Sequence, residues 1–151
     1  MTFLDIRKGI IRLLRDNTDV ENITGEDLET TKDYFSFDRD GNEVTLPAFL
    51  VDVQPVSVNN SAAGRHMEKS VYVDISYMEE RYTSRESIQK RMDEVAALLL
   101  PALWIENRAF SPALSFNITD GIGHCTFPLA WTDTVPFEVE EILAGKIEIR
   151  F

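Results

Sequence analysis

Apolar positions along the chain change period from segment to segment, and each period predicts an element. Phe3, Ile6, Ile10, Leu13 and Leu14 recur at helical spacing while Lys8, Arg12 and Arg15 fall mostly on the other side. That pattern predicts a helix over Phe3–Arg15. Thr2 supplies a capping oxygen and Asp5 an acid three positions on, which is a start signal. Gly9 lies inside this helix and costs it roughly 1 kcal/mol relative to Ala. Ile88, Met92, Val95 and Leu99 follow at steps of four, three and four. They predict a second helix over about Ser84–Leu100, opened by the capping box Thr83-Ser84-Arg85-Glu86 and stopped by Pro101.

Elsewhere the period falls to two. Phe49, Val51 and Val53 alternate with Leu50, Asp52 and Gln54, and Pro55 closes the run. Val71, Val73, Ile75 and Tyr77 alternate with Tyr72, Asp74, Ser76 and Met78, so one face of that strand is buried. Leu114, Phe116 and Ile118 precede Asp120-Gly121, and Cys125, Phe127, Leu129 and Trp131 follow it. Asp-Gly between two alternating runs predicts a hairpin. Pro128 puts this strand at an edge or a bulge, because proline lacks the ladder donor. Val20–Thr24 reads as a short strand, and Lys146–Phe151 alternates to the last residue. Ser57–Lys69 is rich in Ser, Asn, Ala and Gly and reads as a mobile loop. It is either a plain connection or an arm that orders against a neighbour. The expected fold class is α+β: a largely antiparallel sheet with both amphipathic helices packed on one face, in a single domain spanning residues 1–151.

Charge narrows the list of partners. The formal net charge is −11, which opposes sequence-independent binding to DNA and to anionic membranes. Nine acids between Asp19 and Glu43 stand against Lys32 and Arg39. This stretch is either a solvated face or a docking surface for a basic partner. No 18-residue apolar run is present, and the N-terminal segment lacks a signal-peptide core.

Candidate chemistry is sparse. The two histidines, His66 and His124, fall in different elements, and Cys125 takes the apolar phase of its strand, as a core residue does. Asp38-Arg39-Asp40-Gly41-Asn42 starts like a calcium loop, but Glu43 stands where that loop needs glycine and Phe49 where it needs glutamate. No phosphate loop, nucleophile elbow or metalloprotease helix occurs. The sequence therefore predicts no enzyme, no catalytic residue, no cofactor and no metal site. An alternating strand such as Lys146–Phe151 can template pairing with another chain.

The order of elements is similar to that of the phage tail terminator family. An amphipathic helix opens the chain. Pro47-Ala48-Phe49-Leu50-Val51-Asp52-Val53-Gln54-Pro55-Val56-Ser57 leads through a loop with Arg65 into Val71-Tyr72-Val73-Asp74-Ile75-Ser76-Tyr77. A helix follows, and then Asp120-Gly121-Ile122-Gly123-His124 with Phe127. The stretch Gly25–Glu43 is longer than the family pattern. Such proteins occur in phages and defective prophages of Gram-positive bacteria, many with contractile tails. The resemblance implies a virion protein assembled in the host cytoplasm. It implies a homo-oligomer, a hexameric ring, on the last ring of the tail tube protein. That ring ends tail polymerisation, offers a surface to the head connector or neck protein, and in contractile tails meets the tail sheath. DNA would pass through the lumen without specific binding, and no membrane would be involved. The rival assignments are another neck, head-completion or baseplate component, and a small-molecule or enzymatic domain. The last would need a polar pocket with perturbed titratable groups.

Overall fold

The computed structural model describes residues 1–24, 46–61, 65–79 and 85–134. The expectations for the acidic stretch 25–43, the capping positions 83–84 and the alternating run 146–151 lie outside the described residues.

Helix α1 (Phe3–Asn17) starts on the expected capping box: Asp5 N–H donates to Thr2 Oγ1 at 3.1 Å, and Thr2 N–H donates to Asp5 Oδ2 at 2.7 Å. It runs two residues past Arg15 because its last carbonyls find side-chain donors. Asn17 Nδ2 reaches Leu13 O, and Thr18 Oγ1 reaches Leu14 O. Strand β1 (Asn22–Thr24) follows, then β2 (Ala48–Ser61) and β3 (His66–Met78). Helix α2 (Arg85–Leu99) buries Ile88, Met92, Val95 and Leu99, the stripe its spacing predicts. The small strands β4 (Leu103–Ile105) and β5 (Arg108–Phe110) come next. A hairpin of β6 (Ser115–Thr119) and β7 (Ile122–Thr134) completes the described elements.

The five-stranded sheet has the order β1-β2-β3-β7-β6, antiparallel except for β1 against β2. The core holds Ile6, Ile10 and Leu14 of α1 and the four buried α2 residues. They pack against the apolar phases of β2, β3 and β7. Both helices therefore cover the same side of the sheet, as expected for this α+β fold. The Asp120-Gly121 turn takes φ of 53° and 76°, the left-handed pair that a two-residue hairpin requires. At Pro128, β7 pairs with Tyr72 of β3, while β6 reaches only Thr126 on the other side. This is the edge setting in which a strand tolerates proline.

Two expectations are corrected. Strand β2 does not end at Pro55, and Ser57–Lys69 is not a loop. A register shift between Pro55 and Ser57 absorbs the proline, and β2 continues to Ser61 against His66–Ser70 of β3. The far end of β7, Ala130–Thr134, pairs with the same segment. Three strands thus form an arm. Its polar composition reads as a loop because little of it is buried, and its order comes from backbone pairing, of β2 with β3 a few positions on and of β3 with β7 at least 60 positions on. The second correction is an addition: β4 and β5 form a hairpin that no alternation announces. Its turn residues Glu106 and Asn107 take φ of 47° and 66°. Leu103, Ile105 and Phe110 anchor it in the core. Gly9 explains its seat, since a Cβ there would lie 2.8 Å from Ile105 Cγ2. The residue that weakens the isolated helix lets the hairpin approach it.

Candidate functional site

Most of the described sheet face away from the helices is not spent on the core. Alternation puts every second residue of β2, β3, β7 and β6 on it. Along the arm the cross-strand rows read Gln54–Tyr72–Pro128, Ser57–Ser70–Ala130, Asn59–Glu68–Thr132 and Ser61–His66–Thr134. Nearer the base they read Asp52–Asp74–Thr126–Ser115, then Ser76–His124–Asn117. No position in these rows is Lys or Arg. At the base end the same face is closed over: Ala48 and Leu50 are buried with Leu46, Met78 and Ile122 packed against them.

Asp52 and Asp74 stand directly opposite each other in this face. Burial is the main cause raising the Asp52 carboxyl above its ordinary value. The hydrogen bond from Gln54 opposes it, the Asp74 charge adds to it, and Arg7 of α1 opposes it again. Beside them, Ser76 Oγ donates to Asp74 Oδ1 at 3.1 Å. His124 Nδ1 lies 2.9 Å from Ser76 Oγ and 3.1 Å from Asp74 Oδ1. These are the residue types of a hydrolytic triad, but serine and carboxylate meet the same ring nitrogen. A relay needs them on opposite nitrogens, so this group bonds the strands together without relaying a proton. His66 sits ten residues away along β3, about 33 Å at the rise of a strand. The two histidines do not converge.

Cys125 follows His124 and therefore points to the opposite side, fully buried. Burial, with a smaller contribution from Asp74, pushes its thiol up to about 12, which leaves it without thiolate at neutral pH. Among the described residues no three of His, Cys, Asp and Glu come together as metal ligands. No described helix is long and apolar enough to cross a membrane.

Next to the Ser61–His66–Thr134 row at the far end of the arm, on the helix side, Asp133 collects four donors. They are the Met1 ammonium at 3.1 Å, Lys69 Nζ at 3.1 Å, Arg108 Nη2 at 2.9 Å and Trp131 Nε1 at 3.1 Å. Burial would raise its carboxyl. The bonds from Lys69, the ammonium and Trp131 outweigh this and hold it below the ordinary carboxylate range. Lys69 also bonds Met1 O at 3.2 Å and lies 5.8 Å from the centroid of the Phe3 ring, which meets Trp131 edge-on. The start of α1 is thus tied to the arm. The sequence carried a signal for this node: Asp133 continues the buried phase of Cys125, Phe127, Leu129 and Trp131, and a charge on a buried phase needs partners.

A second node fixes α2. Arg91 bonds Asp19 at 2.8 Å and Glu94 at 2.9 Å, and its guanidinium lies 5.1 Å from the Tyr77 ring. Tyr77 donates to Glu79 at 2.8 Å. Its hydroxyl is pushed up to about 12, chiefly by burial. Trp104, on the outer side of β4, is 66% exposed. It borders a shallow depression of about 250 Å³ with Lys8, Arg12 and Glu106.

An α+β layer, an extended arm and a wide polar sheet face are the features of a component that works through its surfaces. A family model described as "Phage tail terminator protein" matches residues 5–141. The chain belongs to that family, which is one of structural virion proteins, and its role is in the phage tail. No curated protein sequence matches it. One solved structure, whose name describes no activity, is 15% identical and covers 91% of this chain and 98% of its own. Its TM-score is 0.44, and a likeness of that size carries no argument.

Proposed function

We propose that the protein caps the tail tube as a ring of six identical subunits, ends polymerisation of the tube and offers the joining surface for the head connector. In contractile tails the same ring meets the end of the sheath. The observation that carries this reading is the family match over residues 5–141. A closed ring needs two different patches per subunit, one meeting the other on the next copy. The arm and the exposed Trp104 hairpin lie on different elements and suit such head-to-tail contact. The ring acts by geometry: it covers the growing end of the tube, and no bond is made or broken.

Negative-stain imaging of the purified protein, alone and mixed with the tube protein of the same particle, tests this. Rings as wide as the tube, and tubes capped at one end, are the expected result. Tubes that lengthen equally with and without the protein refute it.

A further inference from the structure

We propose that the Trp104 hairpin of one copy seats in the groove between α2 and β6 of the next copy, and that this knob and groove make the head-to-tail contact of the ring. The inference rests on the ring reading above and gives the Trp104 hairpin its seat.

The knob is an aromatic held out on a fixed backbone. Trp104 is 66% exposed, more than any other large apolar side chain among the described residues. Leu103 and Ile105, its neighbours in β4, are buried, and Gly9 lets Ile105 lie against α1. The core therefore fixes the chain beneath the indole, so covering the ring with a partner costs little further ordering. Lys8 and Arg12 border the same depression. Both are exposed, and neither holds an ion pair with a described residue. Asp5 beside them is taken up by the cap of α1. Trp and Arg are the residue types that dominate the centres of protein interfaces.

The groove is an unguarded edge. Strand β6 ends the described sheet. Such edges are usually protected by charge or proline, yet Ser115-Phe116-Asn117-Ile118-Thr119 carries neither, and Phe116 is 45% exposed. Between this strand and α2 lies a groove of about 490 Å³, lined by Met92, Phe116 and Ile118 with Gln89, Asp93 and Arg85. Its apolar part suits an indole, whose burial removes roughly 150–250 Å² from water.

Charge commits the groove to a second copy. Chains of net charge −11 repel one another, so they associate best where cations of one face acids of the other. The knob brings Lys8 and Arg12 to Asp93 of the groove. Arg85 of the groove finds its counterpart in Glu106 of the knob. Each patch thus has an apolar centre and a charged rim that complements the other. One patch is built on α1 and β4, the other on α2 and β6. They do not overlap, so one copy can use both at once, as closure of a ring requires.

Two measurements test this. Lys8→Cys and Gln89→Cys place thiols beside the knob and the groove, and a short bismaleimide joins thiols that lie close; Cys125 is buried and stays silent. An equal mixture of the two single variants, alone or on tubes, should give linked pairs, while each single variant by itself stays unlinked. The double variant should give a covalent ladder of up to six copies. A mixture that stays unlinked, or a ladder that stops at two, overturns the inference.

Trp104→Ala removes the knob from an exposed site, so its Tm should stay within about 2 °C of wild type. Ring formation followed by sedimentation should need at least about tenfold more protein. Rings of Trp104→Ala that form at the wild-type concentration overturn the inference; if those rings also release the tube protein, the knob belongs to the tube instead. Wild-type copies that link as expected but leave tubes uncapped refute the proposed function and leave this contact standing, so the two failures are distinguishable.

Discussion

Asp133→Asn should be among the most damaging single substitutions away from the apolar core. The carboxyl is about nine-tenths buried and sits among an ammonium at 3.1 Å, Lys69 at 3.1 Å and Arg108 at 2.9 Å. An amide of the same shape removes the negative charge and turns an N–H toward cations. Lys69 (16% exposed) and the part-buried Met1 ammonium then remain without their counter-charge, while Arg108 (38% exposed) can turn to water. Breaking a buried ion pair from one side costs about 3–5 kcal/mol. With one cation free to leave, about 3 kcal/mol is expected here. For a chain of this length that corresponds to a fall in Tm of roughly 6–12 °C. The pH dependence gives a second readout. The folded-state pKa of Asp133 lies below its unfolded value of about 3.9. The stabilisation is therefore fully present above that value and is lost as pH falls through the folded pKa. The advantage of wild type over the variant should start to shrink below about pH 4 and vanish once the pH passes below the folded pKa, where the two urea curves converge. Denaturation at matched protein concentration, at pH 7 and pH 3, measures both effects. A loss under about 1 kcal/mol at pH 7, or a gap that persists unchanged at pH 3, refutes the assignment of Asp133 as the charge that holds α1 to the arm.

Gly9→Ala should destabilise by about 1 kcal/mol although alanine is the better helix former. The new Cβ would lie 2.8 Å from Ile105 Cγ2, and the overpacking outweighs the propensity gain; a rise in Tm would contradict the close-approach role. Asp52→Asn should stabilise by about 0.5 kcal/mol at pH 7, because it removes a like-charge pair while leaving an oxygen for Gln54. The folded pKa of Asp52 is raised, so the gain should shrink as pH falls through it and the wild-type carboxyl protonates. Urea midpoints at pH 7 and pH 3 check both statements. Cys125 should resist thiol reagents in the native protein at pH 8, since a pKa of about 12 leaves roughly one thiol in ten thousand ionised. It should react at once in urea, and rapid native labelling would show the strand opening or the thiol exposed.

Local pattern carried much of the architecture. The stripe of α2, the capping box of α1 and the Asp120-Gly121 turn are each written within a few neighbouring residues. Helical period, cap chemistry and left-handed turn preference all act over that range. The alternating strands showed which phase is buried, so the polar character of the open sheet face was legible as Tyr72, Asp74 and Ser76 long before their neighbours were known. What the chain order could not contain is partnership across distance. Ser57–Ser61 reads as loop until β3, itself paired on its other edge with β7, supplies its ladder. Gly9 reads as a flaw until Ile105 arrives beside it. Asp52 and Asp74 are unremarkable carboxylates until register sets them opposite each other, and Asp133 becomes an anchor only when Met1, Lys69 and Arg108 are folded around it. Propensity acts within a turn or two of chain, whereas pairing register, close approach and charge neutralisation depend on which distant residues meet, and only the packed tertiary structure settles that.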